Sequence, residues 1–516
     1  MIAGTGKFIT QKGLSKLNDS IVNKKKRILI VGGGTAGIVI FNELKKHFEV
    51  TVFDQNEVGK IPFYFRIPIA IGLLFSRNNK YVTKFNICSA EKRLIPFFKS
   101  NCLGGASVIN GSVHVMGSLV AWRGVFEKFA FDFDNFFKLY RSSFTKKNDK
   151  QKVKIRQQSS DELDKAFFKS LRSFSVEKSG SEFFATPSCG PILNTVKGFF
   201  RSSVLEFLPK GVSPIRLSST VDNVDVKGGL VKGVWVGNKF IAADTVIISA
   251  GVAGTGKLLC RLTNNSPKDL ARKKIFGVKD HTNIRINVRA KKDILSLNQV
   301  GLPFFRRVAY IFKNRRQLLS LIRGSGASSA ANIDLYGTGE ISLRVNLLRF
   351  HESGRLGSSG KLFDNCDHGF SLSLTQVNPK SYGAIDEDGN IDPAYLADNE
   401  DLQFLKDALL YAIKLLETPP LSEYVGEIID LQQILEAPEE YVMKNFYSGY
   451  HLIGGASGLI DADFKFKGIE GLYVCDASVL SEYPSSNIHS SVVLLAKVFS
   501  KKFVDKFNLG DLNARF

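Results

Sequence analysis

The alternation of apolar and polar positions divides the chain into stretches of different period. Residues 27–31, RILIV, are an apolar run of strand length and read as a buried strand. Glycines break the run, residues 38–46 continue with helical spacing, and residues 50–53 form a second apolar strand. Residues 126–199 are rich in Phe and Lys at helical spacing and read as a cap or insertion. From residue 200 the pattern turns to strands. Runs at 214–226, 230–236 and 239–243 are joined by Lys227-Gly228-Gly229 and Gly237-Asn238, both hairpin-type turn signals, and lead into a buried run at 245–249. Residues 286–440 mix β segments at 333–336, 341–348 and 370–376 with one strong helix over 401–417. That helix has Asn399 near its start and Pro419-Pro420 after its end, as stop signals require. Residues 441–516 return to a glycine-rich, strand-then-helix pattern, and residues 1–23 form a polar arm.

The glycines after the first strand carry the first chemistry. Gly32, Gly34 and Gly37 stand at G-x-G-x-x-G positions between a strand and a helix. The first glycine permits a tight turn, the second lets the backbone approach a pyrophosphate, and the third lets helix and strand pack closely. Phosphates then face unpaired N–H groups at the positive end of the helix. Asp54 ends the second strand. It lies about 20 residues on, where a carboxylate accepts hydrogen bonds from an adenosine ribose. The plainer alternative is an ordinary βαβ unit with a glycine turn. Because glycine motifs recur near the C-terminus, the cofactor domain is expected to be discontinuous, with a substrate domain inserted between its parts.

Composition changes this picture little. With 516 residues, 44% hydrophobic and 23% charged, the chain is globular and long enough for several cores. Six cysteines (Cys88, Cys102, Cys189, Cys260, Cys366, Cys475) lie far apart without C-x-x-C or metal-like Cys/His spacing. They read as reduced, mostly buried thiols of a cytoplasmic protein with no metal site. No apolar region precedes Lys24-Lys25-Lys26 to make a secretory signal, and no apolar run reaches the ~20 residues that span a bilayer.

The net charge of +21 favours anions in general, yet no nucleic-acid module accompanies it, so no specific nucleic acid is expected. Its most pointed cluster is 302–323, where Phe304, Phe305, Tyr310, Ile311, Leu318, Leu319 and Ile322 interleave with basic residues. Such a basic amphipathic helix either lies on an anionic membrane surface or packs its apolar side on the substrate domain, and the second is the simpler reading.

Several further motifs, in order, give the chain its resemblance. Residues 102–111, CLGGASVING, form a second glycine-rich loop, and residues 249–259, SAGVAGTGKLL, a third. Asp280-His281 follows, then Pro379-Lys380-Ser381-Tyr382-Gly383 and the run IDPAYL at 391–396. Last come GIEGLYVCDAS at 468–478 and Ser486-Asn487-Ile488-His489. With the first fingerprint these span residues 27–505 and resemble the glucose–methanol–choline (GMC) family of flavin oxidoreductases. The resemblance implies an α/β and α+β fold. In it a discontinuous Rossmann-like FAD-binding domain (24–125, 200–285 and 441–516) encloses a helical insertion (126–199) and an antiparallel-sheet substrate domain (286–440).

It also implies roles residue by residue. Gly32, Gly34, Gly37 and Asp54 hold the adenine end, with Val221 giving backbone hydrogen bonds to adenine. Gly104, Gly105, Ser107 and Asn110 belong to the loop around the pyrophosphate and isoalloxazine. Asp476 binds a ribitol hydroxyl, a role compatible with capping the turn that follows it. Some family members link flavin covalently to a histidine in the second loop. That position falls here on Ile109, so FAD is expected to be non-covalent, with His114 nearby keeping the alternative open.

For catalysis the resemblance implies a His–Asn pair, His451 as general base and Asn487 as hydrogen-bond donor to the developing alkoxide. His489 lines the site, gives its backbone N–H to the pyrimidine side of the flavin, or serves as a structural helix start. His281 reads as structural, and His47, His351 and His368 lie in polar or helix-surface contexts without signal. The family's usual sequence after the histidine is replaced by Gly454-Gly455, a departure beside the substrate. The activity expected is FAD-dependent oxidation of a sugar, polyol or related alcohol, with the electron acceptor open. The alternatives are a lyase that keeps FAD as structure and a non-catalytic basic binding protein.

Overall fold

The structure is a computed structural model and describes residues 26–55, 62–70, 80–88, 93–147, 151–179, 183–184, 186–208, 215–216, 218–263, 274–352, 368–484 and 487–513. The expected arm 1–23 and Cys366 lie outside the described residues.

A parallel sheet is assembled from three distant parts of the chain. Its order is Ile215–Arg216, Glu49–Phe53, Arg27–Val31, Thr245–Ile248 and Leu472–Val474. The central runs RILIV and TVII are almost wholly buried, which is why they carry no polar alternation. The helix Thr35–Leu44 follows the first strand, and the C-terminal helix His489–Asn513 packs against it. The parallel sheet is therefore built from segments far apart in the sequence.

A second, larger sheet lies between these segments in the sequence. Its order is Val425–Ile428, Thr282–Ala290, Gly369–Gln376, Leu343–Leu348, Ala327–Ile333, Ser188–Pro191 and Glu177–Lys178, antiparallel except for the last pair. Tyr447–Ser448 pairs with the start of Thr282–Ala290 and delivers the chain to the site. The helix Asn399–Glu417 lies on this sheet, begun by Asp398, whose Oδ1 accepts the Glu400 N–H at 2.9 Å.

Several elements differ from the pattern in instructive ways. The run 214–226 is not one strand: Ile215–Arg216 joins the parallel sheet and Asn223–Lys227 joins a hairpin sheet. The strand expected at 333–336 is Ala327–Ile333, because Asp334 turns the chain by accepting the N–H groups of Thr338 and Gly339. Helical spacing in 126–199 is realised in Phe133–Ser143 and Glu162–Arg172, but the stretch also holds the strands Val153–Gln157, Ser188–Pro191 and Leu193–Lys197.

The basic helix spans Phe304–Arg323 and is kinked at Asn314, whose side-chain amide donates back to the Tyr310 carbonyl at 3.1 Å. It buries only Leu318 and Leu321, so most of its apolar side chains are not packed on the substrate domain. Among the described residues no helix is long and apolar enough to cross a membrane.

Candidate active site

Two glycine loops cross at the C-terminal edge of the parallel sheet. The Gly104 N–H donates to the Gly33 carbonyl at 2.8 Å, and a Cβ on Gly105 would stand 2.9 Å from the Gly34 Cα. Glycine is required at the fingerprint's ends: a Cβ on Gly37 would lie 1.9 Å from the Gly32 carbonyl oxygen, and Gly32 itself has φ +107°. Gly34 differs, since its Cβ would meet nothing within 4 Å. The middle glycine thus faces open space at the start of the helix Thr35–Leu44, a cradle that a side chain would fill.

Asp54 lies beside this turn, buried, its Oδ2 accepting the Gly33 N–H at 2.5 Å. Its carbonyl accepts the Ser219 N–H at 2.9 Å, which brings the Val221 segment next to the fingerprint. In the second loop Ser107 Oγ donates to the Gly104 carbonyl at 2.7 Å. Asn110 is held by the Arg201 guanidinium, which reaches its backbone oxygen and its Oδ1.

Asp476 follows the strand Leu472–Val474 and is buried. Its Oδ2 accepts from the Gly251 N–H (2.9 Å) and Thr255 Oγ1 (2.6 Å), and its Oδ1 from the Ser478 N–H (2.8 Å). Burial raises its pKa against the pull of these donors. The capping role is therefore visible, and it fixes two turns of the cofactor domain at once.

His451 leaves the strand Tyr447–Ser448 through Tyr450, a non-glycine residue at φ +61°. Asp280 imposes that turn. Its Oδ1 accepts the His451 N–H at 2.7 Å, while its Oδ2 accepts Ser448 Oγ and Tyr395 Oη, each at 2.5 Å. Burial pushes Asp280 up to about 6. The Tyr483 hydroxyl donates to the His451 carbonyl at 3.1 Å, and its ring stacks on His281 with centroids 3.7 Å apart.

The imidazole of His451 has a partner on each side: His281 Nδ1 lies 3.0 Å from its Nδ1, and the Asn487 amide nitrogen 3.3 Å from its Nε2. Burial lowers His451 to about 4 and His281 well below its ordinary value, so both rings are neutral near pH 7. His281 Nε2 is 2.8 Å from the Val377 carbonyl, which only accepts, so that nitrogen carries the hydrogen. His281 Nδ1 is then a lone pair, His451 must donate to it from Nδ1, and His451 Nε2 is left as a lone pair. The arrangement presents a base at Nε2 with an amide donor beside it. His281, read from sequence as structural, is instead in direct contact with the candidate base.

His489 starts the C-terminal helix, two residues beyond Asn487. Among the described residues neither of its ring nitrogens has a hydrogen-bond partner, although both are buried. Burial, and then Arg201, lowers it to about 4. Arg201 is itself buried, with Nε and Nη2 unpartnered among the described residues. His114 is satisfied, with Nδ1 2.8 Å from Ser490 Oγ and Nε2 3.3 Å from Tyr140 Oη. His351, expected in a polar or surface context, is 1% exposed and buried.

Hydrogen bonds link several of these segments to one another. The Gly454 and Ala456 N–H groups reach the Ala477 and Ser478 carbonyls, tying the His451 loop to the Asp476 turn. Asp280, His281, Tyr395, Tyr483 and Arg201 also touch these groups, and the first three lie in the sequence motifs Asp280-His281 and IDPAYL. An open cradle at a helix N-terminus, and buried polar atoms of His489 and Arg201 left without partners among the described residues, fit a large polar cofactor carrying an anionic group.

Comparison with known proteins bears on the family and the fold. The GMC oxidoreductase family model matches residues 376–496, which include His451 and Asn487. Oxygen-dependent choline dehydrogenase of Photobacterium profundum is 22% identical, over 94% of this chain and 94% of its own length. The chloroplastic fatty acid photodecarboxylase of Chlamydomonas reinhardtii is 33% identical over 166 residues, a match covering 28% of this chain and 26% of that protein. The crystal structure of pyridoxine 4-oxidase from Mesorbium loti superposes with a TM-score of 0.75 at 18% identity, covering 93% of this chain and 99% of that one, and so shares the fold.

Proposed function

Because this chain belongs to the glucose–methanol–choline oxidoreductase family of FAD-dependent enzymes that act on alcohol groups, we propose that it oxidises the CH–OH group of a sugar, polyol or related alcohol, with His451 as the base. Bound FAD supplies the acceptor for the hydride, at its N5. The observation that carries the reading is the pair of partners on His451. His281 fixes the proton at Nδ1 and leaves the Nε2 lone pair to take the substrate hydroxyl proton. Asn487, 3.3 Å from that nitrogen, is placed to donate to the oxygen as it becomes an alkoxide. Burial serves this directly, since a neutral imidazole at pH 7 is already in its accepting form.

The fingerprint glycines and Asp54 would hold the adenosine and pyrophosphate end, with Val221 at the adenine. The loop of Gly104, Gly105, Ser107 and Asn110, together with Asp476 and His489, would surround the rest. FAD is non-covalent in this reading, because Ile109 occupies the second-loop position and both ring nitrogens of His114 are engaged. Four buried free thiols, Cys102, Cys189, Cys260 and Cys475, support a reducing compartment such as the cytoplasm.

The test is anaerobic mixing of FAD-loaded protein with a panel of alcohols while flavin absorbance is followed. Wild type should bleach with its substrate, and His451→Ala should slow bleaching by about 10²- to 10⁴-fold while keeping its FAD. A lyase would consume substrate with the flavin still oxidised, and near-normal bleaching by the variant would remove His451 from the role.

A further inference from the structure

The helix Phe304–Arg323 presents a surface that the active site does not use. Phe305 and Phe312, seven residues and two helical turns apart, share one side of the segment before the kink at Asn314, and Leu319 follows beyond it. They are 85%, 70% and 39% exposed. Phe304 and Ile311, at the same spacing, are also exposed, at 66% and 40%. Folding therefore leaves apolar side chains in water along the outer side of a helix whose other side is held by Leu318, Leu321 and Tyr310, the last hydrogen-bonded to the Ser296 backbone. Large exposed apolar patches of this kind mark interaction sites.

The flanks of these side chains are basic. Arg306, Arg307, Lys313, Arg315, Arg316 and Arg323 belong to the helix, which contains no Asp or Glu. Among the described residues no carboxylate pairs with Arg306, Arg315 or Arg316, and Lys313 stands 3.9 Å from an exposed Asp293. The surface continues onto the adjoining turns. Ile69 packs on the Leu318–Leu321 cluster, and the neighbouring Phe63 and Tyr64 are 65% and 49% exposed. At the other end Arg323 lies over the ring of Phe199, 4.2 Å from its centroid.

We infer that this face docks the enzyme on an anionic membrane surface, with the exposed side chains of Phe305, Phe312 and Leu319 entering the interfacial region and the arginines meeting lipid phosphates and carboxylates. Aromatic and aliphatic side chains bounded by Lys and Arg suit that boundary, where one side of a helix is apolar and the other faces charged headgroups. The charge argues against a second copy of this chain as the occupant. A two-fold contact through the helix would bring its six cations towards their own images with no acidic residue in the helix to answer them. It also argues against a nucleic acid, because a polyanion is satisfied by the cations and gives no reason to leave Phe305 in water.

The experiment uses the FAD-loaded full chain and vesicles of phosphatidylcholine, with and without phosphatidylserine, in a flotation assay. Binding to the anionic vesicles should exceed binding to neutral ones by roughly tenfold or more and weaken as salt is raised. F305S/F312S should lose most of that binding with its melting temperature and flavin content unchanged. R315Q/R316Q should lose the preference for anionic lipid by about tenfold. Equal binding of wild type and both variants, or no flotation of wild type, would overturn the inference. So would a dimer that F305S/F312S dissociates while vesicle binding stays the same, or retention on duplex DNA that ignores F305S/F312S in a protein that does not float.

Discussion

The carbonyl oxygen of Val377 can only accept a hydrogen, and from that constraint the tautomers of two imidazoles follow. If His281 fixes the proton of His451 at Nδ1, then removing its lone pair should let His451 turn or change tautomer. His281→Leu should therefore slow flavin bleaching about 10- to 100-fold, with FAD content and substrate KM little changed. His281→Gln, whose side-chain oxygen can accept from His451 Nδ1, should recover part of the loss. Equal rates for wild type and His281→Leu would show that the contact does not act on the base. The same burial sets a pH limit. His451 is lowered from its ordinary 6.5 to about 4, so the accepting form persists down to that pH and is lost below it. The acid limb of kcat/KM should lie near pH 4, well below 6.5. A limb near 6.5 would mean that the imidazole is solvated in the working enzyme. Asp280, His281, Tyr483 and Asn487 contact the His451 residue, and burial pushes Asp280 up to about 6.

At the scale of elements, the three fingerprint glycines separate into different tasks. A Cβ at Gly37 collides with the Gly32 carbonyl, so Gly37→Ala should destabilise the apoprotein itself, by about 3 kcal/mol or more. A Cβ at Gly34 meets nothing within 4 Å, and its backbone at φ −79° suits alanine. Gly34→Ala should leave the apoprotein melting temperature unchanged and weaken FAD binding by about tenfold or more, because the cradle is filled. Melting curves and FAD titrations of the two variants check this, and an unaffected FAD affinity in Gly34→Ala would move the pyrophosphate elsewhere. The strand–glycine–helix unit was legible in the sequence because every signal in it is local. The partner of His451 was not: Asp280-His281 was visible as a dipeptide, but 170 residues separate His281 from the ring it touches. Short strands such as Ser188–Pro191 escaped for a related reason, since their pairing with Ala327–Ile333 is decided by tertiary contact rather than by period. The helix Phe304–Arg323 was legible as an element, whereas which of its apolar side chains would be buried depended on the small cluster around Leu297.

At the scale of the whole molecule, the parallel sheet joins segments more than 400 residues apart in the sequence, about the reach from its first strand to its last. Leu472–Val474 completes the parallel sheet that Arg27–Val31 begins, and the C-terminal helix lies on Thr35–Leu44. One ion pair spans that separation: Lys497 Nζ is 2.6 Å from Glu43 Oε1, with side chains 9% and 24% exposed. Burial alone would raise Glu43, but Lys497, and then Lys46, outweigh it and leave its pKa lowered. A carboxylate lowered on folding contributes stability above its ordinary value of 4.5 and loses it as pH falls through the lowered value. Lys497→Met should thus cost about 2 kcal/mol at pH 7, between an exposed and a fully buried pair, and the gap to wild type should narrow in acid. FAD bound across the same segments would act on the folded state alone and add about 2.7 kcal/mol at a hundredfold excess over its Kd. The variant with FAD should then melt close to wild-type apoprotein. If FAD failed to raise the melting temperature of either, the joining of these segments would be structural only, and the cradle at Gly34 would need another occupant.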